Sequence, residues 1–325
     1  MAFEEINASG GVLGRRIELL TEDNQTVPGQ SATAAKKLIS RDKVVALLGE
    51  ISSGRSLEAA PICQANRIPM IAPASTNPKV TQVGDYVFRV CFIDSFQGTV
   101  MARFAGGELK ARRVAVISSV SNAYSVGLAR IFRERFEAGG GAIPAEQRYA
   151  DGDKDFRAQL TAIRAAGCDA VFVPGYYTEA ALIVRQAREL GMAMPFLGGD
   201  GWVGDELLQV GGDSMNGCFY STHFSPADAS PDVRRFVASY RARWGGATPD
   251  AFAALGYDAA GVLADAIRRA GSIEGPRLRD ALARTRDFRG ATGPTSINAS
   301  RDASKPATII AIRDGKLTFL ETVAP

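Results

Sequence analysis

The chain has 325 residues, 46% of them hydrophobic and 22% charged, with a formal net charge of +3. That length suits about two domains, and the composition is that of an ordinary folded protein. The small charge, with no Lys/Arg block or aromatic–basic alternation, argues against a nucleic-acid partner, and no apolar run approaches the ~20 residues that span a bilayer.

In chain order, MAFEEINASGG (1–11) opens directly in a helical pattern, with no basic n-region, apolar h-region or cleavage site. Apolar, β-rich runs follow at RIELL (16–20), KVVALLG (43–49), IPMIAP (68–73), YVFRVCF (86–92), RVAVISS (113–119), DAVFVPG (169–175), PFLGG (195–199), CFYST (218–222) and ATIIAI (307–312). Amphipathic stretches lie between them. Leu128, Ile131, Phe132 and Phe136 share one helical face, and Phe156, Leu160 and Ile163 repeat the spacing, as do Ile183, Ala187 and Leu190. Gly167 and Gly191 stand where such helices stop. From about 225 to 285 the pattern is mostly helical, and the tail returns to strands. Near-continuously apolar strands alternating with helices predict an α/β fold of parallel sheets covered on both faces. The number of strands suits two such sheets.

Cys63, Cys91, Cys168 and Cys218 are far apart and form no CxxC, so free buried thiols are expected. With a single histidine, His223, neither a metal site nor a Ser-His-Asp or Cys-His set is supportable. His223 has no partner pattern and reads as structural.

Ligands of open parallel sheets bind beyond the carboxyl ends of the strands. Ser52 and Ser53 follow one strand, Ser75 and Thr76 the next, and Ser121 to Tyr124 another. These hydroxyls either cap helices or, with the unpaired N–H groups there, bind an anion. GEISSGRS (49–56) misses the phosphate-loop pattern because Arg55 replaces its lysine, and no magnesium-binding acid ends a strand in the same half. Later strands lead to Tyr176–Tyr177 and to FLGGDGW (196–202), where Asp200 stands among Gly198, Gly199 and Gly201 with no basic neighbour in sequence. The aromatics suit core capping or ligand contact. Asp200 suits a turn, or the ammonium of a zwitterion whose carboxylate the hydroxyl side holds.

EEINASGGVLGRRIEL, IPMIAPASTNPKVT, YVFRVCFIDSFQG, PGYYTEAALIVRQARELG and FLGGDGW together cover most of the chain. In these motifs it resembles the leucine/isoleucine/valine-binding proteins of bacterial ABC transporters, which are type I periplasmic binding proteins. The resemblance implies two doubly wound parallel-sheet lobes joined by a three-stranded hinge and closing around a ligand. Crossovers are expected near Ile93–Ser95, His223–Ser225 and Ala303–Pro306, giving lobe one as 1–93 and 225–303 and lobe two as 94–224 and 304–325. Ser53 and the Ala74-Ser75-Thr76 segment match the residues that bind the α-carboxylate and α-amino group. Tyr176 and Asp200 match a tyrosine and an acid from the other lobe, and Tyr124 an aromatic at the cleft rim. The acid is often glutamate in the family, and Asp200 is shorter.

By the same resemblance the protein is a periplasmic, monomeric, non-enzymatic solute-binding component that needs no cofactor. It takes leucine, isoleucine or valine and hands it to a membrane permease. Alternatives are a same-fold sensor, receptor or repressor-type effector domain for another amino-acid-like or aromatic-acid ligand, and a P-loop-like nucleotide enzyme. An open cleft is expected to leave Asp200 and Ser53 in water. The family has a signal peptide, a central first strand and a loop before the EEIN helix, so the resemblance implies a longer precursor. Ser52 stands where some members have a disulfide cysteine, in keeping with free thiols.

Overall fold

The computed structural model describes residues 1–325. The chain divides into two compact units, Met1–Ile93 with Pro226–Lys305 (unit 1) and Asp94–Ser225 with Pro306–Pro325 (unit 2), so it passes from one to the other three times. Unit 1 begins with strands β1 (Leu47–Leu48), β2 (Met70–Ala72) and β3 (Val87–Arg89). Unit 2 contributes β4 (Val114–Ser119), β5 (Glu146–Tyr149), β6 (Ala170–Val173), β7 (Phe196–Gly198) and β8 (Phe219–Thr222). The chain returns to unit 1 for β9 (Phe288–Gly290), β10 (Gly293–Ile297) and β11 (Ala303–Ser304), and ends in unit 2 with β12 (Ala307–Arg313) and β13 (Lys316–Val323).

In unit 1, β1, β2 and β3 pair in that order, all parallel, with Leu48 opposite Ile71 and Ile71 opposite Phe88. Alternate residues face opposite sides of a strand, and both faces here are apolar. Ile71 and Phe88 pack with Leu255, Ala259 and Leu263 of the helix Ala251–Ala270. Met70, Ala72 and Val87 pack with Ala35, Ala59 and Cys63 from helices Gln30–Ser40 and Ser53–Ala65. A separate antiparallel sheet runs β11-β10-β9.

RIELL, expected as a strand, forms none; only an isolated bridge joins Val12 to Arg15. The physical reason is local. The Asn7 side chain takes both backbone groups of Ile17, donating from Nδ2 to Ile17 O at 2.8 Å and accepting Ile17 N–H at 2.7 Å. Gly11, with φ +74°, lets the chain turn tightly there, since a Cβ would lie 2.0 Å from Arg15 O. Leu19 stays 62% exposed. Ile17, Leu19 and Leu20 line a groove of about 830 Å³ with Leu47 and Leu48 of β1.

Unit 2 carries a seven-stranded sheet in the order β13-β12-β8-β7-β6-β4-β5. Its strands from β5 to β8 are parallel, as expected, whereas β12 and β13 add an antiparallel edge. Within DAVFV, Ala170–Val173 becomes β6, buried on every residue. Helix Ala123–Ala138 packs Leu128, Phe132 and Phe136 inward, with Phe132 stacked 4.0 Å from Phe172. The four cysteines are free and buried, and burial raises the Cys63 thiol to about 12 and Cys218 to about 11.

Candidate functional site

In unit 1 the strand ends bring Ser53, Ala74, Ser75 and Thr76 to buried positions. Ser53 is the first residue of its helix, and its Oγ accepts Asn77 N–H at 3.1 Å, which leaves its own proton to donate. Ser75 is committed to the loop itself. Its Oγ donates toward Glu50 O at 2.7 Å and lies 2.6 Å from Ser56 Oγ. Thr76 differs: its Oγ1 has no hydrogen-bond partner although the residue is 1% exposed. A buried hydroxyl left unmade costs about 1–3 kcal/mol. The three hydroxyls therefore divide, with Ser53 and Thr76 able to offer an O–H and Ser75 fixing the backbone.

What holds this loop is a residue the sequence reading passed over. Arg89, at the end of β3, is fully buried and donates from Nη1 to Ser75 O and from Nη2 to Asn77 O at 2.9 Å. Its Nε lies 2.7 Å from Asp302 Oδ1, and Thr81 Oγ1 bonds both. A buried guanidinium needs a counter-charge and acceptors for its five donors. Here the carbonyls around Thr76 supply them. In sequence, an Arg inside the apolar run YVFRVCF was the available signal. Arg55 of the phosphate-loop near miss pairs with Glu58 at 2.7 Å.

In unit 2 the ends of β6 and β7 bring Tyr176 and Asp200 together with Tyr124. Asn122 caps the helix Ala123–Ala138 by accepting Tyr124 N–H and Ser125 N–H, which sets Tyr124 at its start. Tyr124 is 2% exposed, so within this unit it is packed rather than on a rim. Its ring stacks on Tyr176 at 5.5 Å, and its Oη accepts Gly201 N–H at 3.0 Å. Burial first, then the charges of Asp200 and Asp94, raise the Tyr124 hydroxyl well above its ordinary value, so it stays neutral. The glycines of FLGGDGW make room for close approach. A Cβ on Gly198 would meet the Trp202 ring at 2.2 Å, and one on Gly199 would meet Tyr124 Oη at 2.6 Å.

Asp200 is 3% exposed and does not stand in water, which corrects the expectation for it, as burial does for Ser53. It is not an isolated acid either. Oδ1 accepts from Gln97 Nε2 at 2.9 Å, and Oδ2 lies 3.0 Å from His223 Nε2. Gln97 Nε2 also donates to Asp94 Oδ1 at 2.9 Å, while its Oε1 accepts from Ser221 Oγ at 3.1 Å and Asp200 N at 3.3 Å. His223, read from sequence as structural, thus belongs to the acid's surroundings. No group of three or more His, Cys, Asp or Glu side chains is arranged to hold a metal ion.

Chemically, unit 1 offers neutral hydroxyls at the start of a helix, a donor-rich setting suited to a carboxylate. Unit 2 offers a desolvated carboxylate with aromatic walls, suited to a cation. A family model described as periplasmic binding protein matches residues 1–316. The Leu/Ile/Val-binding protein homolog 3 of Brucella melitensis is 30% identical over 98% of this chain and 86% of its own length. A leucine-binding protein of Thermotoga maritima superposes with a TM-score of 0.95 at 41% identity, covering 100% of this chain and 94% of that one. The branched-chain amino acid transporter substrate-binding protein LivJ of Streptococcus pneumoniae, solved in complex with isoleucine, gives 0.94 at 35% identity, covering 100% and 92%. The chain belongs to the periplasmic binding protein family, in its Leu/Ile/Val-binding group.

Proposed function

We propose that this protein is the solute-binding component of an ABC importer and captures an L-amino acid with a branched aliphatic side chain, leucine, isoleucine or valine. It works in the periplasm as a monomer and passes the ligand to a membrane permease. Two observations, each within its own unit, carry the reading: unit 1 has a Thr76 hydroxyl with no partner, and unit 2 has a buried, hydrogen-bonded carboxylate at Asp200. The first set suits the α-carboxylate, with Ser53 and the Ala74–Thr76 backbone beside it. The second suits the α-ammonium, with Tyr176 and Tyr124 as its walls. No bond-making step is assigned to any residue, in keeping with a family of solute binders.

A desolvated carboxylate favours this reading over an aromatic acid, which brings no cation to it. A thermal-shift panel of the twenty amino acids, their amides and aromatic acids tests it. A true ligand at a hundredfold excess over Kd adds ~2.7 kcal/mol of stability. The expected result is a shift with branched-chain amino acids and none with benzoate. A shift with aromatic acids alone contradicts the proposal.

A further inference from the structure

We propose that Gln97 is the positioning residue of the ammonium site: its one amide grips Asp200 by both backbone and carboxylate, and so sets how strongly the protein prefers ligands that carry an ammonium. This inference rests on the assignment of Asp200 to the ammonium.

Gln97 lies in the first turn of the helix Asp94–Gly107 and is fully buried, as are Asp94 and Ser221. A buried amide is costly unless its polar groups are met, and a glutamine has two N–H donors and two acceptor sites to meet. All four are used. Nε2 donates to Asp94 Oδ1 and to Asp200 Oδ1, each at 2.9 Å. Oε1 accepts from Ser221 Oγ at 3.1 Å and from Asp200 N at 3.3 Å. The two ends cannot be exchanged: turned over, the amide would set its oxygen against two carboxylates and its NH2 against a backbone N–H. Gln97 therefore has no group left to offer a ligand, and it acts only through its neighbours.

Two of its four bonds go to the same residue. Holding Asp200 by its N–H and by its side-chain oxygen fixes the torsions between them, so the amide sets the rotamer of the acid as well as its place. The other two bonds anchor the amide itself, to its own helix at Asp94 and to β8 at Ser221. The grip needs close approach. A Cβ on Gly199 would lie 3.0 Å from Gln97 Oε1 and 2.6 Å from Tyr124 Oη. The acid still keeps capacity for a cation, because a carboxylate has about four lone-pair sites, and Oδ1 takes Gln97 while Oδ2 lies 3.0 Å from His223 Nε2. Binding groups work only when held within about 0.5 Å of the productive geometry by supports that are themselves locked. Without Gln97 the carboxylate is free to turn, and the affinity lost is the part owed to the ammonium, while the part owed to the aliphatic chain and the ligand carboxylate stays.

The test is a double-mutant cycle on the full chain, read by calorimetry with leucine, using Gln97→Met, Asp200→Asn and the two together. Methionine has a similar length and no amide. Alone, Gln97→Met should raise the leucine Kd about ten- to a hundredfold, as expected for a lost hydrogen bond to a charged group. On the Asp200→Asn background it should add no more than about twofold, since its route to the ammonium is already gone. 4-Methylpentanoate, which is leucine without its amino group, should bind Gln97→Met as it binds the parent, an outcome that loosened packing alone would not give. Equal losses on both backgrounds, no loss on either, or an equal loss for 4-methylpentanoate overturns the proposal. If Gln97→Met does not fold, Ser221→Ala decides in its place. It removes only the hydroxyl that holds Oε1, and should raise the leucine Kd about two- to tenfold in the parent and not on the Asp200→Asn background; the same three outcomes overturn it. Asp200→Asn separates this failure from that of the underlying reading. Leucine binding unchanged in that variant removes the ammonium assignment itself, whereas weakened binding there with equal losses on both backgrounds removes only the role of Gln97.

Discussion

The two units solve the same electrostatic problem in opposite ways. Unit 1 keeps a charge pair behind the candidate loop: Arg89 and Asp302 are buried against each other, and Arg89 holds the Ser75 and Asn77 carbonyls beside the Ser53 and Thr76 hydroxyls. Unit 2 puts its charge at the strand end, with Asp200 backed by Gln97, His223 and Asp94. The difference teaches where rigidity has to come from. A neutral loop presenting an O–H can be fixed by a charged group that a ligand never meets. A carboxylate meant for a cation must keep lone pairs available, so its supports are single hydrogen bonds from the side.

The sharpest way to break this contrast is to remove the hidden charge in unit 1. Arg89→Met leaves Asp302 buried without its cation and frees the Ser75 and Asn77 carbonyls. Loss of one member of a buried pair costs ~3–5 kcal/mol, so a marked drop in melting temperature is expected, and leucine binding should be lost as the loop loosens. A melting temperature within a degree or two of the parent would mean that Arg89 does not hold the loop. Next in size is the sheet contrast. Leu197→Ala in fully buried β7 should cost ~2–5 kcal/mol, whereas Leu19→Lys on the exposed RIELL segment should stay within about 0.5 kcal/mol. Chemical denaturation reads both. A large loss from Leu19→Lys would show that this segment carries packing energy.

Thr76→Val tests the front of unit 1. It keeps the shape and removes a hydroxyl that has no partner in its own unit. Stability should hold or rise slightly, while leucine binding weakens by ~1–3 kcal/mol. Titration calorimetry that shows unchanged affinity would remove Thr76 from the site. The smallest expected signal is chemical. Burial raises the Cys63 thiol to about 12, and none of the four cysteines is bonded. A thiol reagent should find almost none in the native protein and four after denaturation. Fewer than four would reveal oxidation or a disulfide.

Much of the fold was legible because its signals are local. DAVFV and RVAVISS are continuous apolar runs, and they became β6 and β4 because both their faces are covered. The misses also have local causes. GluGlnArgTyr at 146–149 forms β5, an edge strand with mostly solvated side chains, and so lacks the apolar run that marks the others. RIELL has that run, but apolar composition cannot make a ladder without a strand to pair with, and the Asn7 amide takes the place of one at Ile17. For the candidate site, the glycines of FLGGDGW and the hydroxyls of Ser53, Ser75 and Thr76 do fall at buried strand ends. The partners of Asp200 did not show, since His223 is 23 residues away and Gln97 is 103. Such pairings are made by the order of strands in the sheet, and no short-range pattern carries them.

The central claim is that Asp200 meets the ligand's ammonium, and calorimetry of Asp200→Asn with leucine tests it most directly. The substitution keeps size and one accepting oxygen, which can still meet Gln97 Nε2, and removes the charge. If the claim holds, binding weakens by ~2–5 kcal/mol, roughly thirty- to several-thousand-fold in Kd, while affinity for 4-methylpentanoate does not fall. If Asp200→Asn binds leucine as tightly as the parent, the acid serves only the packing of its own turn and the account of the site is wrong.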